Sequence, residues 1–425
     1  MVNERAQLKS TLKSRQFRLR HQVAMLARDE EQLLRKHLPL WRDIGDCFVL
    51  GLDSRNQDAS EEIASELLVP KPAQVFHFDF EGFGSAKTRL LQECHQRFPL
   101  VHYVLLVEPD MFPVVSTFHR EALSQRESVY AIHRSGKESR GERLADCVFR
   151  NDGLWHFKFR VHETPVRRAE GSGVPERISD TGWSVVEISG SVRDGQSRAL
   201  KVRDELRLVK EDLKDYPGHP RLTYYAGALR YDLAMELREE GDGPKIQALA
   251  KKAVKVLARR SREGAGSEEH TQQQSAAAYF CARSYLDLLG NNQKAEQWFR
   301  TTMKLEPDFL YARVALIQML FRQQRFSEAF KEAVDATKLG RPRLRLFMDS
   351  GPLHVCDIPL LSSKAIYYMY INATLRPELQ SHPVWPQRAR LLAASAACEL
   401  AGGDSAERKM NDVQKLQDFW ADNPP

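Results

Sequence analysis

The sequence predicts an N-terminal α/β domain followed by an all-helical region that is built from repeats. Between residues 22 and 112, four apolar runs of strand length alternate with helix-like stretches, a pattern typical of a parallel sheet with crossover helices. After Pro220 this alternation stops, and apolar residues recur at helical spacing. A 34-residue internal repeat in the second part indicates stacked helical hairpins.

The four strand candidates of the first part are short apolar runs. They are residues 23–27, 47–52, 75–78 and 101–107. Residues 134–191 are less regular, and we interpret them as short strands and loops that complete the domain. Because ligands of such sheets bind at the carboxyl ends of the strands, the polar residues that follow these runs are candidate site residues.

The helical part contains two aligned repeat units. Ala278, Tyr285, Leu286, Ala295 and Leu305 recur 34 residues later as Ala312, Met319, Leu320, Ala329 and Leu339. A proline closes each unit, at positions 307 and 342, as in tetratricopeptide-like hairpins. We predict a looser unit at 221–260 and a last hairpin at 383–420. A stack of such hairpins has a concave surface; a plain helical bundle is the alternative.

These patterns divide the chain into four predicted segments. They are a basic leader at residues 1–20, the α/β domain at 21–197, a connecting helix at 198–220 and the helical repeats at 221–425. The leader is rich in lysine and arginine and poor in acids. It is typical either of a solvated helix or of a mitochondrial presequence.

The composition excludes several classes of protein. The net charge of +6 is spread over basic residues interspersed with acids, which predicts no nucleic-acid partner and suits either a solvated surface or a small anionic ligand. The six cysteines form no C-x-x-C pair, so we expect reduced thiols and no zinc knuckle. No apolar run approaches the ~20 residues of a membrane span. We therefore expect a cytoplasmic protein, with a mitochondrial location as the alternative.

A series of motifs in the first part resembles family-two glycosyltransferases that carry tetratricopeptide repeats. The matching segments are ARDEE at 27–31, LDSRNQDA at 52–59, FGSAKT at 83–88, LLVEPD at 105–110, VHE at 161–163 and KVRD at 201–204. The family has, in the same order, a Lys-Asn-Glu-Glu turn, a strand-end aspartate, a Phe-Ser helix start, an Asp-x-Asp metal motif, a Val-His-Glu and an Arg-Asp helix. The order and spacing hold across residues 22–230.

The resemblance implies a nucleotide-sugar transferase of the A-type fold, using a UDP-type donor with Mg²⁺ or Mn²⁺. It implies donor-binding roles for Asp29, Asp53 and Lys87, metal-binding roles for Glu108, Asp110 and His162, and a general-base role for Glu163. The helical repeats would then hold the acceptor or a protein partner. The alternative is a transferase-like domain that has lost catalysis and acts with its repeats as a binding scaffold.

The residue chemistry supports each role and also leaves alternatives open. Asp53 at a strand end can accept hydrogen bonds from a base or ribose, or can cap a turn. Glu108 and Asp110 can share a divalent cation, although glutamate replaces the first aspartate of the family motif and Pro109 stiffens the turn. Lys87 suits a phosphate or a solvated helix face. A third hypothesis, an RNA-associated organellar protein, rests on the leader and the pI of about 8.9.

Overall fold

A computed structural model describes residues 20–124, 127–136, 142–168, 179–188, 197–238, 241–263, 268–337, 339, 414–416 and 418. The chain divides into two compact units, one comprising residues 1–137 and 144–191 and the other residues 138–143 and 192–425. The predicted leader and the predicted hairpin at 383–420 lie outside the described residues, apart from Arg20 and the short pieces at 414–418.

The first unit has the predicted alternation of strands and helices. Its elements begin with β1 (His21–Ala27), α1 (Glu31–Ile44), β2 (Cys47–Asp53), α2 (Ser60–Leu67), β3 (Ala73–Phe78), α3 (Phe83–Arg97) and β4 (Tyr103–Val107). They continue with β5 (Met111–Pro113), β6 (Val129–Gly136), β7 (Glu142–Arg150), β8 (Trp155–Lys158), β9 (Thr164–Arg167) and β10 (Ser179–Glu187). The prediction of an N-terminal α/β fold is confirmed.

The main sheet has the strand order β3-β2-β1-β4-β7-β6-β10-β5, and β8 pairs with β9 in a separate hairpin. Strands β3, β2, β1 and β4 are parallel, and β7 lies antiparallel to β4. The chain runs outward from β1 in one direction through β2 and β3 and then returns to β4 on the other side. A parallel sheet opens a crevice at such a reversal, at the carboxyl ends of its strands.

Side chains of the parallel strands point alternately to the two faces of this sheet, and both faces are buried. Val23 and Met25 belong to the core that includes α1 and α2, whereas Ala24 belongs to the core that includes α3. On α1 the buried face carries two hydrogen bonds to the turn after β4. His37 Nδ1 lies 2.8 Å from the carbonyl oxygen of Pro109, and Trp41 Nε1 donates to the carbonyl oxygen of Met111 at 2.9 Å.

The second unit is helical in its described part. It comprises α4 (Arg198–Asp215), α5 (Pro220–Glu236), α6 (Gly243–Arg262), α7 (Glu268–Arg283), a π-helical turn (Ser284–Leu288), α8 (Asn292–Leu305), α9 (Leu310–Arg322) and α10 (Phe326–Thr337). Each of these helices packs on the next one along the chain, and α5 also packs on α7. The segment predicted as a connecting helix forms α4, which packs on α5 within this unit.

The 34-residue period appears in the positions of these helices. Helix α8 begins at Asn292, and α10 begins 34 residues later at Phe326. The repeated alanines, Ala278 with Ala312 and Ala295 with Ala329, are all fully buried. Small residues at equivalent crossings let consecutive hairpins approach closely, so this region is tetratricopeptide-like. No helix in the described part combines the length and apolar character of a membrane span.

Helices α5 and α6 pack closely at Gly227. A Cβ at Gly227 would lie 2.4 Å from Leu257 Cγ, so Gly227→Ala should destabilise the helical unit by roughly 1–3 kcal/mol through overpacking. At Gly243 a Cβ would meet no atom within 4 Å, so Gly243→Ala is the matched control and should be neutral or slightly stabilising. Thermal unfolding followed by far-ultraviolet circular dichroism measures both. Equal midpoints for the two variants would contradict the packing explanation.

Candidate functional site

The ends of three neighbouring parallel strands bring most of the predicted site residues to one edge of the sheet. Asp29 follows β1, Asp53 ends β2, and Glu108 comes directly after β4. Because β1 pairs with both β2 and β4, these strand ends are adjacent. The edge therefore coincides with the reversal of strand order described above, where parallel sheets bind ligands.

The backbone around this edge departs from common conformations. Asp29, Phe159 and His162 have φ values of 55°, 72° and 52°, in the left-handed region that side chains other than glycine seldom adopt. Only one further residue of this kind, Gln324 in the helical unit, occurs in the described part of the chain. Unfavourable backbone conformations concentrate at functional sites, where the surrounding structure holds them.

The start of α3 fixes the position of Lys87. A Cβ at Gly84 would lie 2.1 Å from the carbonyl oxygen of Phe159, so only glycine allows this close approach to the segment at 157–160. The amide of Phe83 donates to the carbonyl oxygen of Arg160 at 2.7 Å, which fixes the same contact. One helical turn later, Lys87 faces the residues that follow this segment.

Lys87 joins two of the predicted site carboxylates. Its Nζ lies 2.6 Å from Glu163 Oε1 and 3.5 Å from Glu108 Oε1. Burial alone would raise the pKa of Glu163, but the Lys87 charge and hydrogen bond outweigh burial and hold that pKa below its usual value. Burial likewise opposes the charge of Lys87, and the two carboxylates raise its pKa in spite of that. Glu163 is therefore ionised and paired.

A second group of carboxylates lies beside this pair. Ligand oxygens of Glu108, Asp110 and Glu187 lie within 4.8 Å of one another. Arg134 partly neutralises them, because its Nη2 lies 3.2 Å from Glu187 and 3.8 Å from Glu108. Burial, followed by the charges of Glu108 and Glu187, raises the pKa of Asp110 to about 6. We call Glu108, Asp110 and Glu187 the acidic triad.

The acidic triad fits a hard divalent cation better than the set predicted from the sequence. Carboxylate oxygens are the ligands that Mg²⁺ and Mn²⁺ prefer. Asp110 Oδ1 is buried and has no hydrogen-bond partner among the described residues, so this oxygen is available for coordination. The predicted ligand His162 is not part of this group, in which Glu187 is the third residue.

Glu30 is a further titratable group at the same edge. Burial, followed by the charges of Asp110, Asp58 and Asp29, raises its pKa to about 7. Its backbone amide donates to Ser60 Oγ at 3.0 Å, which holds the start of α1 against α2. A carboxyl group with a pKa near neutrality can exchange a proton under physiological conditions.

The two predicted donor-binding aspartates are already engaged within the protein. Arg55 binds both oxygens of Asp53, at 2.9 Å and 2.5 Å, and Arg28 approaches it at 3.7 Å. Only 4% of the Asp53 side chain is exposed, against 56% of Arg55. Asp29 Oδ1 accepts from the amide of Gln57 at 2.7 Å, which ties the loop after β1 to the loop after β2. The end of β2 therefore presents a guanidinium to solvent.

Sequence reasoning missed three residues of this site. Glu30 lies within the ARDEE motif directly after a strand, so its position is a usable signal, although the resemblance assigns the donor-binding role to its neighbour Asp29. Arg134 lies on β6, and Glu187 ends β10, both in the region read as irregular. Their approach to Glu108 depends on the pairing of β6 with β10, which no local pattern encodes.

Comparisons with known proteins assign no family. No protein-family model matches the chain, and no curated protein matches it. Solved structures match with low scores, among them BtubC (BKLC) from P. vanneervenii, at 13% identity over 54% of this chain and 90% of that chain with a TM-score of 0.31. A putative kinesin light chain of Podosopora anserina with TPR-like repeats matches at 14% identity, over 47% and 97% of the two chains, with a TM-score of 0.29.

A MamA RS-1 ArsTM double mutant matches at 13% identity, over 45% of this chain and 95% of that chain, with a TM-score of 0.25. At these scores the similarity supports no functional inference.

The raised pKa values at this edge predict a pH-dependent stability. A carboxyl group with a raised folded pKa stabilises the fold fully below its unfolded pKa and loses that contribution as pH rises through the folded value. Between about pH 4 and 7 we expect the first unit to lose stability, because the pKa values of Asp110 and Glu30 rise from 3.8 and 4.5 to about 6 and about 7 on folding. Asp110 should contribute roughly 1 kcal/mol of this loss after solvent screening.

Urea unfolding followed by tryptophan fluorescence at several pH values measures this dependence. Asp110→Asn should flatten the decline, whereas Glu62→Gln, at an exposed position on α2, should leave it unchanged. Parallel pH profiles for wild type and Asp110→Asn would show that the carboxyl group of Asp110 is not responsible.

Proposed function

We propose that the first unit binds a nucleoside diphosphate sugar at the carboxyl edge of its sheet and transfers the sugar to an acceptor. The observation that carries this proposal is the acidic triad beside two cations, Lys87 and Arg134, at the reversal of strand order. Diphosphates bind where positive charge and a divalent cation can neutralise them together. The proposal also draws on the order of motifs in the sequence, which resembles family-two glycosyltransferases.

The charges at the edge explain why a cation belongs to this proposal. Three carboxylates would repel a diphosphate, and the two cations do not outnumber them. Mg²⁺ or Mn²⁺ held by Glu108, Asp110 and Glu187 would supply charge neutralisation at the diphosphate and at the leaving group. The residues of the chain then orient the donor, with Lys87 and Arg134 directed at its phosphate oxygens.

Glu163 is proposed as the base that takes the proton from the acceptor. Its pairing with Lys87 at 2.6 Å depresses its pKa and makes it a weak base in the free protein. A bound diphosphate would draw the Lys87 charge toward itself, and the pKa of the half-buried Glu163 would then rise toward the range of an effective base. Donor binding would thus activate the base before the acceptor reacts.

The helical unit is proposed to hold the acceptor or a protein partner. Its stacked hairpins bury their apolar faces against neighbouring hairpins and leave long, continuous outer surfaces. Modules of this kind bind extended ligands, so a polypeptide suits this surface.

A catalytically inactive scaffold is the second candidate, and two specific contacts favour it. Arg55 occupies both oxygens of Asp53, and Lys87 neutralises Glu163, so these groups are satisfied without any ligand. In this case the first unit would be a stable platform and the helical unit would carry the function. The two candidates differ in whether a nucleoside diphosphate binds at all.

Titration calorimetry with UDP in the presence and absence of Mn²⁺ separates the two candidates. The transferase predicts saturable heat that requires Mn²⁺, and Asp110→Asn should weaken the affinity at least tenfold, about 1.4 kcal/mol. Glu62→Gln is the matched control, because it removes an exposed carboxylate from the same unit. GDP and ADP extend the panel. Absence of heat with all three nucleotides would favour the scaffold.

The role of Glu163 predicts a separation of binding from catalysis. Glu163→Gln should leave the UDP affinity within a few-fold of wild type but lower the rate of sugar transfer about 100-fold or more, since a glutamine cannot accept the proton. Donor hydrolysis across a panel of nucleotide sugars identifies the substrate for this measurement. Lys87→Met should weaken UDP binding, whereas its control Lys36→Met, at an exposed site on α1, should not. A Glu163→Gln variant with full activity would exclude this base.

A further inference from the structure

Helix α6 of the second unit contains basic residues and no acidic residue. Its 20 residues, Gly243–Arg262, have the sequence GPKIQALAKKAVKVLARRSR. Six of the seven basic side chains are exposed, and Arg260 is buried. The exposed ones, which we call the basic face, are Lys245, Lys251, Lys252, Lys255, Arg259 and Arg262.

The basic face is one continuous stripe. At about 100° of rotation per residue its members fall within an arc of about 120°, and at about 1.5 Å of rise per residue it is about 25 Å long. The opposite side of α6, with Ile246, Ala250, Ala253 and Leu257, is buried where the helix packs on α5 and α7. Packing of the repeat therefore orients the cations outward together.

The cations of this face are poorly compensated. Arg262 lies over the ring of Trp298 at 5.7 Å, and Arg259 Nε lies 3.6 Å from Glu263. Within the described residues, no carboxylate oxygen lies within 4.0 Å of Nζ of any of the four lysines. Like charges three and four positions apart, such as Lys251 with Lys255, repel each other and destabilise the helix. An anionic partner would remove that repulsion.

Helix α4 of the same unit provides the contrast. Its exposed basic residues alternate with acids, and Arg207 pairs with Glu211 at 2.9 Å, four positions along the helix. That is the usual pattern of a solvated helix face. The acid-free composition of α6 is thus a property of this helix and not of the whole unit.

We propose that the basic face of α6 docks an acidic polypeptide segment, which goes beyond the sugar transfer proposed above and does not depend on it. Cations at i, i+3 and i+4 spacing match an acidic helix, or an extended segment of about eight residues over the same length.

Two other polyanions fit the basic face less well. Helix α6 itself has no aromatic residue on which the bases of single-stranded nucleic acid could stack, and Arg262 already lies over the neighbouring ring of Trp298. Apart from the cations, α6 exposes only Gly243, Pro244, Gln247 and Ala248, so no bulky apolar side chain is available to enter a lipid surface.

Fluorescence anisotropy of the full-length protein with a labelled 16-residue peptide of alternating glutamate and serine tests the proposal. We expect saturable binding that weakens with added salt, and no binding of the glutamine–serine peptide. Lys252→Glu with Lys255→Glu should raise the Kd at least tenfold. Lys201→Glu with Lys210→Glu on α4 changes the net charge equally and should raise it less than threefold.

Circular dichroism of both double variants checks that the helices are intact. Equal losses in the two variants would overturn the proposal, because binding would then follow net charge alone. Labelled single-stranded oligothymidine and vesicles containing phosphatidylserine are the competing probes. Either probe is compared directly with the acidic peptide. If one of them binds more tightly than the peptide, and the charge-reversing changes at Lys252 and Lys255 abolish that binding, the choice of a polypeptide as the occupant is overturned.

Discussion

Repulsion between half-buried carboxyl groups at one edge of the sheet is the constraint on which the first unit depends. Glu30, Glu108, Asp110 and Glu187 share this edge, and burial, followed by the charges of neighbouring carboxylates, raises the pKa values of Asp110 and Glu30. Lys87 and Arg134 offset part of the repulsion, each by contacting two partners. Burying like charges costs stability, so a fold that keeps them together favours whatever cation or cationic group completes the balance.

The same balance links the parts of the candidate site to one another. Lys87 serves Glu163 and Glu108 at once, so any ligand that attracts Lys87 changes the environment of both carboxylates. The contact between Gly84 and the 157–160 segment makes this sharing possible, since it brings the start of α3 against the chain that leads to Glu163. A single close backbone contact therefore helps to place Lys87 between its two carboxylates.

Much of this organisation could be predicted from local sequence patterns. Apolar runs predict β1 to β4, and the 34-residue spacing predicts that α8 and α10 are equivalent helices of successive hairpins, because both signals repeat within a short stretch of chain. The position of Asp110 at a strand end was likewise local. Two other features could not be predicted from local patterns. The hydrogen bonds of Arg55 to Asp53 depend on a side-chain conformation, and the position of Glu187 beside Glu108 depends on the pairing of β10 with β6.

The two hydrogen bonds from α1 to the turn after β4 restrict the backbone around Asp110. His37 and Trp41 hold the carbonyl groups of Pro109 and Met111, on either side of Asp110. With its backbone anchored on both sides, this turn cannot widen freely to admit a larger ion. If the acidic triad binds a cation as proposed, a set of oxygens with little freedom to expand would favour a small ion of strict octahedral geometry over Ca²⁺, which prefers more ligands at longer distances.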